Sequence, residues 1–250
     1  MTLHSRADGA SGSSAGPRAV VVELVGLPGS GKSYLAHQLV LAMQRRNAPV
    51  RVADAPVSAA APRTVRAARK AAHSAREVLR HPRRSGRIVP CIASSQRGGG
   101  DALALAVQWL VTQRLLAAAR AASGLHLFEE GVLQTLWSIG LRGRLEPVLG
   151  MLAGDVQWPD LVVAVEPPLP LVQERLAARQ SRHSRVQQLT AGEQAEALRT
   201  GNDLLHELLG WWQGPAGPGV PVLAVRNADV SPAPEQLDRL ADRLLTAPRW

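Results

Sequence analysis

Residues 26 to 33 read Gly-Leu-Pro-Gly-Ser-Gly-Lys-Ser, between the β-branched run AVVVELV and a stretch, Tyr34 to Arg46, with apolar residues at Leu35, Leu39 and Met43. A glycine, four residues, then Gly31, Lys32 and Ser33 is the spacing of a loop whose main-chain N–H groups converge on phosphate oxygens. Glycine permits the tight left-handed backbone such a loop needs. A helix starting near Lys32 adds its unbonded N–H groups and the positive end of its dipole, and the lysine ammonium reaches the outer phosphates. Chance is a weak explanation, because the chain holds 27 Arg and only 2 Lys, and one of those lysines falls at the motif's position. The pattern therefore predicts a P-loop, with Gly26, Gly29, Ser30, Gly31, Lys32, Ser33 and Tyr34 as its nucleotide-binding set and the Ser33 hydroxyl as a ligand for Mg²⁺.

Short apolar runs at 19–25, 50–53, 125–128, 161–165 and 220–225 alternate with helical patterns near 32–46, 64–80, 101–122, 132–152, 169–180, 193–212 and 235–246. Strands that alternate with helices imply parallel pairing, so the expected fold is α/β, a doubly wound parallel five-stranded sheet flanked by helices. The first 17 residues are rich in Gly, Ser and Ala and read as a disordered start. Residues 18–250 read as one domain with a basic helical insertion at 63–87 and a lid-like segment at 174–190.

A single cysteine, Cys91, excludes an internal disulfide and a Cys-based metal cluster, which suits a reducing cytoplasm. No run of 18 uninterrupted apolar residues occurs, so no transmembrane segment is expected. The net charge of +9 is local: from Arg63 to Arg87 there are nine Arg or Lys and one acid, Glu77. Arg66, Arg69, Lys70, His73, Arg76 and Arg80 recur at three- and four-residue steps, which predicts a helix with a cationic face. Such a face is either simply solvated or meets an anionic partner. Nucleic acid is the weakest of those partners, since the stretch has no aromatic residue to stack on bases.

Ligands of doubly wound sheets bind beyond the carboxyl ends of the strands. The residues there are Asp54 after the second strand, Glu129 and Glu130 after the third, Glu166 after the fourth, and Arg226 and Asn227 after the fifth. Strand residues alternate sides, so one of Glu129 and Glu130 would face the loop and its metal while the other packs elsewhere; which one is open. Asp54 would either take a proton from an acceptor hydroxyl or cap a turn before Pro56. Arg175, Arg179, Arg182 and Arg185 would either close over the transferring group or form an exposed basic face.

The P-loop, the acidic turn LFEEG, PDLVVAVEPPLPLVQERLAAR at 159–179, the arginine-rich segment after it and VPVLAVRNADVSP together resemble the P-loop nucleoside and nucleotide kinases of the thymidylate-kinase-like group. The likeness runs over most of 19–246. It implies that Gly29 to Ser33 hold ATP phosphates and Mg²⁺, that Arg175 to Arg185 are lid arginines, and that Arg226, Asn227 and Ala228 border the adenine. Where that group carries an Asp-Arg-Tyr-like triplet, this chain has Glu129, Glu130 and Gly131, and where it carries a Glu-Pro-Gly-type turn this chain has Asp54, Ala55 and Pro56. The expected activity is an ATP- and Mg²⁺-dependent kinase acting on a small-molecule phosphate acceptor, a nucleoside, nucleotide or other metabolite hydroxyl. The rivals are a P-loop ATPase switch and a nucleotide-binding regulatory module without kinase activity. Oligomeric state is open, a homodimer included.

Overall fold

The computed structural model describes residues 19–57, 62–152, 156–178, 190–226 and 234–246. Five strands, β1 (Val20–Val25), β2 (Val50–Val52), β3 (Leu125–Phe128), β4 (Leu161–Val165) and β5 (Val222–Val225), form one sheet in the order β2-β3-β1-β4-β5. Every pairing is parallel, with Val20 opposite Leu125 and Val22 opposite Leu161 fixing the register around the central strand. The expected doubly wound α/β architecture is the observed one.

Each face of the sheet is covered by helices. On one lie α1 (Lys32–Arg45) and α9 (Pro234–Thr246), packed through Leu35, Leu39 and Met43 against Val22, Leu24 and Val163. Arg46, just past α1, ties the two helices together with ion pairs to Asp238 at 2.8 Å and Asp242 at 3.1 Å. The other face holds the larger core, built by α4 (Gly99–Arg120), α5 (Val132–Arg142), α7 (Leu169–Ala178) and α8 (Ala191–Gln213) around Phe128, Trp109 and Trp212. Helix α4 is long and apolar enough to cross a membrane by length and composition, but 56% of that window is buried inside the fold. Trp158, Trp211 and Trp212 cluster at centroid distances of 5.2 to 6.5 Å and pin the end of α8 to the segment entering β4.

Two differences from the sequence expectation have local causes. The basic insertion is two helices, α2 (Arg63–Arg80) and α3 (Pro82–Ser95), separated at His81. Pro82 suits the first helical turn, where its missing N–H costs nothing, and Ile88 and Ile92 anchor α3 in the core despite Gly86 and Pro90. The helix expected over 132–152 divides into α5 and the short α6 (Glu146–Leu149). It stops at Gly143, which bridges to Gln96, while the Arg144 N–H donates to the Ser95 carbonyl at 3.0 Å. A side chain at 143 would stand 2.1 Å from that carbonyl. The start of α8 is fixed by a capping box in which Thr190 and Glu193 exchange side-chain and backbone hydrogen bonds.

Candidate active site

The loop from Gly26 to Gly31 leaves the top of the central strand and enters α1 at Lys32. Gly29 and Gly31 have φ of 87° and 93°, the left-handed region where a side chain is strained. At Gly29 there is also no room, because a Cβ would lie 2.8 Å from Leu176 Cγ on α7. Helix α1 begins with no side-chain cap on its amides and no acid in its first turn, leaving the positive end of its dipole uncompensated by its own sequence. The Lys32 ammonium donates to the carbonyls of Gly26 at 2.6 Å and Leu27 at 3.2 Å, so it lies folded along the loop it serves. Ser33 and Tyr34 are exposed at the helix start. Arg175 donates from Nη1 to the Ser30 carbonyl at 3.2 Å, placing α7 directly behind the loop.

Because β3 lies between β2 and β1, the residues after β2 and β3 stand beside the loop. Asp54 is buried, and its Oδ2 accepts the N–H groups of Glu129 at 2.9 Å and Glu130 at 2.8 Å. Burial, opposed by the Glu130 amide and reinforced by the charges of Glu129 and Glu130, pushes its carboxyl up to about 6. Asp54 thus grips the acidic turn from below. Glu129 is half-buried and Glu130 exposed.

The sequence reading passed over one acid in the site. Glu23 sits inside β1 with 1% of its surface exposed, and its Oε1 accepts the Gln134 N–H at 2.8 Å. Burial raises its carboxyl to about 7, against the lowering pull of the amides of Gln134, Leu133 and Val132 at the start of α5. Gly131 leaves it space, since a Cβ there would stand 2.3 Å from Glu23 Oε2. Gln134 in turn accepts the Gly26 N–H on its Oε1 at 3.3 Å, so Glu23, α5 and the first glycine of the loop form one hydrogen-bonded chain. The signal was available: a strand buried on both faces is expected to be apolar throughout, and Glu23 interrupts VVVELV.

At the far side of β1, Arg226 is exposed at the end of β5 and lines a cavity of about 360 Å³ with Leu35, Leu223, Val225, Leu237 and Leu240. This places an apolar hollow with an arginine rim alongside α1. Arg179, Arg182 and Arg185 of the lid-like segment, Asn227 and Ala228 after β5, and residues 1–17 lie outside the described residues.

A parallel sheet whose central strand passes through a glycine–lysine turn into a helix is the P-loop α/β fold. No family model matches the chain, and no curated protein matches it. Among solved structures it is similar to deoxyadenosine kinase from M. mycoides with bound dATP, at TM-score 0.49 and 12% identity, covering 90% of this chain and 99% of that one. The same enzyme with bound dCTP gives 0.46 and 11%, covering 91% and 100%. Shikimate kinase from Acinetobacter baumannii in complex with shikimate gives 0.41 and 14%, covering 92% of each chain.

Proposed function

We propose that the chain is an ATP- and Mg²⁺-dependent phosphotransferase that moves a γ-phosphoryl group to a small-molecule hydroxyl or phosphate, with a nucleoside or nucleotide as the first candidate acceptor. The observation that carries this reading is the uncapped start of α1, with Lys32 folded along the glycine loop, beside Asp54, Glu129 and Glu130 at the ends of neighbouring strands. Phosphoryl transfer asks for little else: a clamp for the donor, compensation of charge and an oriented acceptor.

A triphosphate tail suits the loop, because Gly29 and Gly31 hold it in a left-handed turn ahead of α1 and no acid in the first turn of that helix opposes an anion. Among the described residues no three His, Cys, Asp or Glu side chains gather into a metal cage. Mg²⁺ keeps waters and takes one or two protein oxygens together with phosphates. Ser33 and one carboxylate of the acidic turn would hold it. Glu129 is the better choice, since it continues the side of β3 that carries Leu125 and Leu127 toward α1, and it is half-buried whereas Glu130 is exposed. When bound, the ion spreads the charge of the clustered phosphates.

The remaining roles belong to the chain's own groups. Lys32 leaves the loop carbonyls for the β and γ phosphates. Asp54 keeps Oδ2 on the turn amides and takes the acceptor's proton at Oδ1, a task that a carboxyl raised to about 6 performs better than an ordinary aspartate. Arg175 adds positive charge at the loop from its seat on the Ser30 carbonyl, Arg179, Arg182 and Arg185 would close over the donor, and Arg226, at the rim of the 360 Å³ cavity, would border the base together with Asn227 and Ala228.

The test combines binding and turnover. ATP·Mg²⁺ is titrated calorimetrically into the wild type and Lys32→Ala. The wild type is then incubated with ATP and pooled nucleosides, nucleotides, sugars and aminoglycoside-like compounds, and products heavier by one phosphoryl group are sought by mass. Tight binding lost in the variant, with such a product formed, is the expected result. ATP hydrolysis without an acceptor would favour a switch, and binding without turnover a regulatory module. An unchanged affinity in Lys32→Ala would sink the phosphate site itself.

A further inference from the structure

Helix α2 is packed inside out. At 100° per residue, Arg66, Lys70, His73, Ser74 and Glu77 share one side, and this polar side is the buried or half-buried one. Two of its residues are paired within the fold, Lys70 donating to Gln108 on α4 at 3.1 Å and Glu77 pairing with Arg84 on α3, whereas His73 Nδ1, Ser74 Oγ and Glu77 Oε2 are buried with no hydrogen-bond partner among the described residues. The opposite side carries Val65, Ala68, Ala72, Ala75 and Leu79, at alternating steps of three and four, and all five are exposed. Leu79 is 80% exposed, and Leu103 of α4, level with Val65 by the Lys70–Gln108 offset, is 68% exposed. An aliphatic helix face turned to water normally marks a contact with something else.

Charge identifies the other surface. Arg76 and Arg80 border the aliphatic side of α2, and Arg83 and Arg87 follow on the first turns of α3, all exposed. From residue 62 to 100 the single acid is Glu77, which is buried, so no carboxylate on these helices neutralises that border. Partial burial, reinforced by the charges of Arg80 and Arg76, lowers the Arg114 guanidinium on α4 from its ordinary value, which sets a further cation beside the pair. A second copy of this chain would bring arginines against arginines. Nucleic acid would set phosphates over alanine, valine and leucine, with no aromatic side chain for its bases. A sheet of anionic lipid meets both halves at once, acyl-chain boundary for the aliphatic strip and phosphates for the arginine rim. We propose that the outer face of α2, with the start of α3, docks the protein on an anionic membrane surface, α2 lying in the headgroup plane.

The proposal is independent of phosphoryl transfer and is tested without it. The full chain is sedimented with phosphatidylcholine vesicles, with and without phosphatidylglycerol, at low and high salt. Retention on the anionic vesicles only, weakened by salt, is expected. Arg76→Gln with Arg80→Gln should lower affinity by about fivefold per arginine, whereas Arg45→Gln with Arg144→Gln, an equal change of net charge elsewhere, should leave it unchanged. Leu79→Trp, at an open position that cannot disturb the core, should show a blue-shifted emission over the wild-type background when anionic vesicles are added. Circular dichroism confirms that each variant is folded. No retention, equal loss in both double variants, or no shift for Leu79→Trp would overturn the proposal. So would tighter binding to duplex DNA or to a polyglutamate peptide than to the vesicles.

Discussion

The loop after β1 keeps its apolar neighbours behind it: Leu27 and Leu176 are buried, while Lys32 and Ser33 lie at its open side. Helix α2 does the reverse, with Lys70, His73 and Glu77 turned toward the protein and Val65, Ala72 and Leu79 toward water. The difference teaches where each arrangement takes its stability. The loop is held by backbone shape, with two residues at positive φ and a chain of hydrogen bonds from Glu23 through Gln134 to Gly26. The seat of α2 depends on pairs of side chains, and each pair matters only while both members are present.

The sharpest test of the comparison is functional. Lys32→Ala should lower ATP-dependent phosphoryl transfer by about three orders of magnitude, as loss of a charged group at the transferring phosphate does elsewhere, with an unchanged circular dichroism spectrum. Next comes Glu77→Ala in α2. It removes the carboxylate that pairs with the Arg84 guanidinium, itself mostly buried, and should cost about 3 kcal/mol in urea unfolding. If that variant is neutral, the inward polar face of α2 is held by nothing specific, and the contrast between the regions fails.

Glycine substitutions give opposite signs in the two regions. Gly29→Ala meets both a left-handed φ of 87° and Leu176 at 2.8 Å, and should destabilise by about 2 kcal/mol. Gly86→Ala, inside α3 with nothing within 4 Å, should stabilise by about 0.5 to 1 kcal/mol through its helix propensity. Thermal unfolding of the two variants, side by side, decides whether backbone shape or simple helix preference rules each place.

Titration separates the regions further. The Glu23 carboxyl stands at about 7 in the folded chain and near 4.5 when exposed, so between those values the folded state binds more protons than the unfolded one. Stability is therefore fully present below about 4.5 and is lost as pH rises through about 7. The raised Asp54 carboxyl acts with the same sign over a lower window, ending near 6. Glu23→Gln removes one titrating group and should flatten the dependence by up to about 1.4 kcal/mol per pH unit in that window. Equal slopes in urea unfolding of wild type and variant from pH 5 to pH 7 would show that Glu23 is not held in this way.

The same contrast explains how much was legible beforehand. Strands, sheet class and loop could be read from residues 19 to 36 and from alternating apolar runs, because these features are decided by near neighbours. The position of Asp54 at a strand end was readable too, but not its grip on the Glu129 and Glu130 amides, which depends on β2 and β3 being adjacent. Glu23 stood out as the one acid in an apolar strand, but its partner did not, since that lies in α5, more than a hundred residues on. Helix α3 was obscured by Pro82, Gly86 and Pro90, and only the burial of Ile88 and Ile92 against α4 makes it a helix. For α2 the three- and four-residue steps gave the helix and its cationic side, but not the direction of that side. Lys70 sits inward because Gln108 on α4 accepts from it, and Arg66 and His73 share that half-buried side.

The smallest predicted effect is also the most specific to this inversion. In an ordinary amphipathic helix, replacing a leucine of the aliphatic stripe by glutamine removes buried apolar surface and costs about 2 kcal/mol or more. Leu79 is on that stripe, yet it is 80% exposed, so glutamine there removes almost no packing and leaves no polar group buried. Leu79→Gln should thus change the urea midpoint by the equivalent of less than about 0.5 kcal/mol, the range of a plain surface substitution. A loss of 2 kcal/mol in the isolated protein would mean that α2 sits with its aliphatic side inward in solution. Gln108 and Arg84 would then not be the partners of α2, and the contrast with the loop after β1 would disappear.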